Sequence, residues 1–461
     1  MARDGHLGTT TSTCRVCAKL IPAHVEIADG AVWFEKHCPQ HGPQRVRIYS
    51  DADEYLALGR YHRAGSTPLQ FSTAADKPCP EACGVCPRHE QHTCVPIIEI
   101  TDHCDLACPI CLVNNRASYH LTRQQVADML DRLVAAEGQI SVLNLAGGEP
   151  TLNPEFRAIV EECLKRREIL RVSVSTNGLR LADDSELLRF LAARNVVISL
   201  QFDGTDDDAY VRLRGRPLLT HKRRLIEEAG ARGAAMSLTA TIARGVNEGQ
   251  VPVVADLLFR HEHILSAMFQ PMAYVGRGGT VERPVDPVGI PEITRGLDGA
   301  AAGQIARDDF APLPCSHPAC FALAFYLALG AGRFTPIKRL VPIDRYLDML
   351  QNRALFGTDP ASFGVVRAAV YDLWSSPAAL APDSQQALSA VRRLLRSIAA
   401  SPDAQPARAL AAAERSIKSI FIHHFMDRDS FDLSRARKCC NVYPQPDGRM
   451  LPACVYNCLR R

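Results

Sequence analysis

The 461-residue sequence predicts an α/β fold: a partial (β/α)6 TIM-type barrel with an N-terminal metal-binding knuckle and a helical, cysteine-containing C-terminal domain. Two observations predict it. Six short β-branched runs alternate with amphipathic segments between residues 95 and 280, the pattern of repeated βα units around a parallel sheet. The 17 cysteines fall in tight groups on either side of this stretch, which beyond its opening loop holds only Cys163.

In chain order, residues 1–60 read as a rubredoxin- or zinc-ribbon-like domain, 61–94 as a cysteine-rich auxiliary segment, 95–280 as the barrel and 281–461 as the helical domain. In the first, CRVC from Cys14 and CPQHG from Cys38 flank ADGAVWFEKH, a β-hairpin pattern. Cys14, Cys17 and Cys38 with His41 suit one tetrahedral zinc or mononuclear iron. So small a segment buries little apolar surface, so metal binding supplies its folding free energy. The second segment, CPEACGVCPRHEQHTC, offers Cys79, Cys83, Cys86 and Cys94, enough thiols to close a [4Fe–4S] cubane or a zinc site.

The barrel strands are VPIIEIT from Val95, SVLNLAG from Ser141, LRVSVST from Leu170, VVISLQFD from Val196, MSLTATIA from Met236 and SAMFQP from Ser266. Helices fit between them, near LTRQQVADMLDRLVAA, NPEFRAIVEECLKRRE, SELLRFLAARN, PLLTHKRRLIEEAGARG and QVPVVADLLFRHE, each with apolar residues at helical spacing. Cys163, on the second of these helices, reads as an inert core thiol. Loops after barrel strands build active sites. The loop after the first strand, HCDLACPIC, places Cys104, Cys108 and Cys111 together. Three thiols on a [4Fe–4S] cluster leave one iron open, as in a catalytic metal site and unlike a structural one.

Past residue 280, VERPVDPVGIPE is a proline-rich connector, and the stretch from Arg339 to about Ser430 reads as several helices. CSHPAC supplies Cys315 and Cys320, and the C-terminal KCC and PACVYNC supply Cys439, Cys440, Cys454 and Cys458. Cys315, Cys320, Cys454 and one of Cys439 or Cys440 form the expected auxiliary set, with Cys458 spare. The run FALAFYLAL after Cys320 reads as core, or as the lining of a tunnel for an apolar chain.

With 47% apolar and 22% charged residues the chain is globular, and a net charge of +3 argues against a nucleic-acid platform. The N-terminal MARDGHLGTTTST has no apolar signal region, and no run approaches the roughly 18 apolar residues of a membrane span. The expected location is a reducing cytoplasm, where clustered cysteines are metal ligands more readily than disulfides.

The Cys-x3-Cys-x2-Cys loop after the first strand, with GGEP at Gly147 to Pro150 after the second, resembles the radical S-adenosylmethionine enzymes. The resemblance implies that the open iron chelates S-adenosylmethionine and that one electron from the cluster cleaves it to a 5′-deoxyadenosyl radical. It implies that Gly147 and Gly148 bring main chain to the methionyl amino group while Glu149 braces the turn. It also places cosubstrate contacts on STNG, SLQFDG (Ser199, Gln201) and TIARGVN. The flanking HTCVPIIEITDHCDLACPICL and FMDRDSFDLSRARKCCNVYPQPDGRMLPACVYN are similar to the branch containing tetraether lipid synthase and the related pterin-methylating radical enzymes. That branch implies one or two auxiliary [4Fe–4S] clusters and one mononuclear iron or zinc.

The expected function is therefore hydrogen abstraction from an unactivated C–H bond, followed by functionalisation or coupling of the carbon, with C–C bond formation on lipid chains as the leading reaction. Modification of a pterin-like ring or a peptide is the alternative within the enzyme class, and an iron–sulfur electron carrier the alternative outside it. The expected partners are a small-molecule or lipid substrate and a flavodoxin- or ferredoxin-type reductant, with peripheral membrane contact for a lipid and no nucleic acid. The residues single out no catalytic acid or base.

Overall fold

The computed structural model describes residues 3–81, 83–113, 117–353, 382–399 and 414–460. Its first unit is an antiparallel meander of four strands, β1 (Gly5–Thr13), β2 (Leu20–Ala28), β3 (Ala31–Cys38) and β4 (Gly42–Tyr49). The expected hairpin lies between β2 and β3. Asp29 and Gly30 close it at φ of 53° and 71°, the left-handed pair that matches the twist of two-residue hairpin turns.

All six expected barrel strands form: β5 (Val95–Thr101), β6 (Leu143–Gly147), β7 (Val172–Thr176), β8 (Val197–Gln201), β9 (Met236–Ile242) and β10 (Ile264–Pro271), paired in sequence order and parallel throughout. Helices cover the outside. The first, Arg123–Glu137, starts at a capping box in which Thr122 accepts from the Gln125 backbone and the Gln125 side chain accepts from that of Thr122. Strand residues alternate cleanly. Val172, Val174, Ile198, Leu200, Met236 and Leu238 are buried, whereas Ser173, Ser175, Ser199, Gln201, Ser237 and Thr239 face an interior cavity.

The C-terminal segment does more than add helices. Ile343–Leu350 and Pro382–Ala399 are helical as expected, residues 354–381 and 400–413 of the expected helical stretch lie outside the described residues, and Ile417–His423 is a strand instead of a helix because it pairs with the barrel sheet on both sides. Five further strands join the barrel's own sheet: β11 (Phe321–Gly330), β12 (Arg333–Pro336), β13 (Ile417–His423), β14 (Asn441–Pro444) and β15 (Met450–Pro452). β13 continues the parallel run beside β10, and β14 does so beside β5. FALAFYLAL is thus a strand, antiparallel to β13 and buried on both faces: Phe321, Leu323 and Phe325 line the cavity, while Tyr326 packs edge-on against Phe259. The sheet's two sides approach each other where Asn441 Nδ2 meets His423 Nδ1 at 3.5 Å.

The meander docks onto the loop before the last strands. The buried Lys36 ammonium donates to the carbonyl of Asp429 at 2.7 Å, and Thr10 donates to Asp432 at 2.6 Å. Among the described residues no helix is long and apolar enough to cross a membrane.

Candidate active site and metal-binding groups

The cysteine triplet and GGEP meet where β5 and β6 end. Past the Thr101–Gly147 pair the two loops stay bonded: the Gly148 N–H donates to Thr101 O at 2.8 Å and the Glu149 N–H to His103 O at 2.7 Å. A Cβ on Gly147 would lie 2.0 Å from Thr101 O, and one on Gly148 2.1 Å from His103 O. Both glycines line the cavity, but what forbids a side chain is neighbouring main chain: the end of β5 at Gly147 and the start of the cysteine loop at Gly148.

Glu149 is the hub of this end of the barrel. Its buried carboxylate accepts from Thr151 Oγ1 at 2.7 Å, Thr176 Oγ1 at 2.9 Å and the Asn177 N–H at 2.7 Å, tying GGEP to STNG. Burial raises its pKa, and the hydrogen bonds oppose that shift. Asn177 in turn donates to Asp105 Oδ1 at 2.6 Å, inside the triplet loop.

Burial pushes the Cys104 thiol up to about 12 and raises that of Cys111, so bound metal must ionise them. All three triplet thiols line the cavity.

Two buried cations lie beside them, and sequence reasoning passed over both. Arg214 donates to Asp203 through Nε at 2.7 Å and Nη2 at 2.9 Å, and to Thr241 Oγ1 at 3.0 Å. Burial opposes its charge, but Asp203, with Cys108 and Cys111 nearby, more than offsets this and raises its pKa. Lys222, 1% exposed, donates to Asn177 O and to Gln201 Oε1, the latter at 2.9 Å, and burial pulls its pKa down to about 7. The signal was present, because Lys222 sits within the apolar stripe of Leu218, Leu225, Ile226 and Ala229. Of the strand-end candidates, Gln201 also donates to Asp203, and Ser199 Oγ lies 3.1 Å from Thr239 Oγ1.

In the N-terminal knuckle four side chains converge. Cys14, Cys17, Cys38 and His41 bring their ligand atoms within 4.8 Å of one another. Cys17 and Cys38 sulfurs are 3.9 Å apart, and His41 Nδ1 lies 3.4 Å from Cys38 Sγ and 3.6 Å from Cys14 Sγ. A tetrahedral zinc with typical bond lengths gives edges of about 3.8 Å between sulfurs and about 3.5 Å from sulfur to nitrogen. Burial opposes ionisation of Cys14, but the Cys17 backbone and the Gln44 amide, 3.0 Å away, hold its pKa down to about 5.

The remaining thiols group differently from their order in the chain. Cys94 does not stay with Cys79, Cys83 and Cys86. It lies before β5, where its N–H donates to the Cys440 carbonyl at 2.8 Å and Gln91 Nε2 donates to both Cys94 and Cys315 sulfurs at 3.3 Å. Cys315 is correspondingly not with Cys320. Cys320, Cys439 and Cys454 form a second group around the buried Arg435, and Cys458 adjoins it. Cys79, Cys83 and Cys86 form a third, lining one small pocket. The physical reason is topological: parallel pairing of β14 with β5 sets Cys440 beside Cys94. Cys163 is fully buried in the core.

Residues 98–258 match the radical SAM superfamily. The protein is a radical SAM enzyme. Its domain implies a [4Fe–4S] cluster and S-adenosylmethionine, which the open triplet beside a cavity fits. Residues 6–50 of this radical SAM enzyme match the HMPTM N-terminal zinc ribbon domain. The chain is 26% identical to 7,8-dihydro-6-hydroxymethylpterin dimethyltransferase of Methanocaldococcus jannaschii, over 98% of this chain and 94% of that protein. It is 30% identical to mycofactocin maturase MftC of Mycobacterium ulcerans, over 51% of this chain and 63% of that one. Streptococcus suis SuiB bound to precursor peptide SuiA overlays 45% of each chain with a TM-score of 0.39 and 16% identity.

Proposed function

We propose that this radical SAM enzyme methylates a reduced pterin related to 7,8-dihydro-6-hydroxymethylpterin. The match to the dimethyltransferase carries this reading, because it runs through ribbon, barrel and C-terminal cysteines alike. The cavity supports it. About 480 Å³ in volume, it has hydroxyl and amide side chains on the sheet face, including Asn144, Ser175 and Ser199, against aromatic residues such as Phe321, Phe421 and Phe425. A flat heterocycle uses both walls, whereas the lipid chain favoured by sequence alone would leave the polar one unpaired.

In this reading Cys104, Cys108 and Cys111 hold the cluster, and Gly147, Gly148, Ser199 and Gln201 border the cosubstrate. When bound, the pair supplies a carbon-centred oxidant able to remove hydrogen from an unactivated C–H bond. The chain's own residues position and shield. Glu149 locks GGEP to STNG, Arg214 balances the negative charge of the triplet thiolates, and the aromatic wall excludes water. Cys14, Cys17, Cys38 and His41 hold one zinc or iron that folds the ribbon, and the other thiol groups hold auxiliary clusters.

The test is anaerobic turnover of reconstituted protein with S-adenosylmethionine as radical source, 7,8-dihydro-6-hydroxymethylpterin, a methylene-tetrahydrofolate-type one-carbon donor to supply the added carbon, and dithionite to supply the electrons, followed by mass spectrometry. Expected are 5′-deoxyadenosine and a pterin carrying one or two added methyl groups, both lost in Cys108→Ala. Cleavage of S-adenosylmethionine with an unmodified pterin, under conditions where a lipid chain is coupled, would refute the reading.

A further inference from the structure

We infer that Glu414 and Arg171 form a recognition site for the amino-pyrimidinone edge of the substrate ring, at the end of the barrel away from the cysteine triplet. The inference rests on the pterin reading above and names the residues that select for it. Arg171 directly precedes β7, whereas Asn177, beside the triplet, directly follows it. Six residue steps along the strand separate the two positions by roughly 20 Å. One cavity is lined from Cys104 and Asn177 at one end to Arg171, Val197 and Glu414 at the other. That span leaves room for a nucleoside beside the triplet and a bicyclic ring beyond it.

The pair is built into the cavity wall. Arg171 Nη2 donates to Glu414 Oε2 at 2.6 Å, with side chains 5% and 14% exposed, and Nη1 donates to the carbonyl of Asn195. Arg171 Nε is buried and has no hydrogen-bond partner among the described residues. Buried charges are kept where their remaining donors and acceptors are satisfied, and an orphaned guanidinium N–H beside a cavity calls for a ligand or water to complete it.

The chemistry of the missing partner follows from the donor pattern. A pterin presents, side by side, a 2-amino group, the N3–H and the O4 carbonyl: two donors and an acceptor. A carboxylate accepts two parallel N–H bonds as it does from an arginine fork, and a neighbouring guanidinium donates to the carbonyl. Glu414 beside Arg171 offers that complement. An acyl chain would leave Arg171 Nε and the remaining lone pairs of the Glu414 carboxylate without partners, so the pair selects against it as well as for the ring.

The experiment measures anaerobic equilibrium binding to the reconstituted full-length protein of two probes, 6-hydroxymethylpterin and the analogue whose 2-amino group is replaced by a carbonyl. The analogue sets an oxygen against the carboxylate. Wild-type protein should bind it at least about tenfold more weakly than the pterin. Glu414→Gln should weaken pterin binding about tenfold or more and abolish the preference, and Arg171→Lys should weaken both probes together. Equal binding of the two probes by the wild type overturns the proposal without any variant having to fold. Unchanged affinity and preference in Glu414→Gln overturns it while the methylation reading stands. Failure of the wild type to bind or methylate any pterin removes both.

Discussion

Replacing Gly148 by alanine tests whether the active site depends on contact between GGEP and the cysteine loop. The added methyl would sit 2.1 Å from His103 O and 2.8 Å from Asp102 C, both backbone atoms one or two residues before Cys104. No flexible side chain can swing aside, so the loops must part by about 1 Å to reach even the tightest tolerated contact. Overpacking of this kind costs about 1–3 kcal/mol. That is small against the stability of a large core, so the variant should fold. A displacement of about 1 Å at a reacting centre costs on the order of a hundredfold in rate. The assay is formation of 5′-deoxyadenosine by anaerobically reconstituted protein, with iron content and melting temperature measured on the same sample. Gly249→Ala is the control, because nothing lies within 4 Å of its Cβ and its φ is not left-handed. Gly148→Ala should retain most of its iron and lose about two orders of magnitude in cleavage. Wild-type cleavage by Gly148→Ala would show that the two loops are not rigidly coupled, and the reasoning would fail.

Three further predictions test other parts of the molecule. Cys94→Ala and Cys315→Ala should each remove the same cluster, so that the double variant loses no more iron and sulfide than either single one; additive losses would restore Cys94 to the Cys79 group. His41→Ala should lower bound metal at the ribbon and expose residues 1–50 to limited proteolysis, whereas His41→Cys should keep both close to wild type, since a whole site of this type contributes on the order of 10 kcal/mol of folding free energy. Lys222, with its folded pKa pulled down to about 7 by burial and an unfolded value of about 10.4, binds its proton more readily when unfolded, so native stability should rise relative to Lys222→Met between about pH 7 and pH 10. Melting curves across that window that shift in parallel for the two proteins would contradict the buried placement.

The barrel was legible because its strands alternate. In LRVSVST and VVISLQ every second residue is apolar and packs outward under the helices, and the intervening hydroxyls and amides face the cavity. FALAFYLALG lacked that alternation because β11 is covered on both faces, and a short, evenly apolar run does not declare its period. NVYPQPDGRMLP concealed the β14–β15 hairpin although its Pro-Asp-Gly is a turn signal, because cysteines on either side drew the segment into a metal motif. The triplet and GGEP were legible as local patterns. Arg214, Lys222 and Asp203 were not, because buried charges on helix stripes and strand ends show their partners only in three dimensions. The same holds for Arg171 and Glu414, 243 residues apart in sequence, and for the thiol groups, whose membership depends on which strands become neighbours.

The pairing of β14 with β5 has a consequence for how the protein is made. Asn441 lies beside Val95, 346 positions earlier, so the edge strand that brings Cys440 to Cys94 is synthesised long after the barrel's first strand. At about 5–20 residues per second the delay is roughly 17–70 s. Throughout that interval the nascent barrel has an unpaired edge at β5, and Cys94 has only part of its thiol group around it. The interior is therefore open to cluster-delivering proteins during translation and becomes walled in only when the last strands dock. An oxidant or a competing metal present in that window reaches thiols that the finished protein buries, so loading of this centre is governed by the timing of synthesis as much as by affinity.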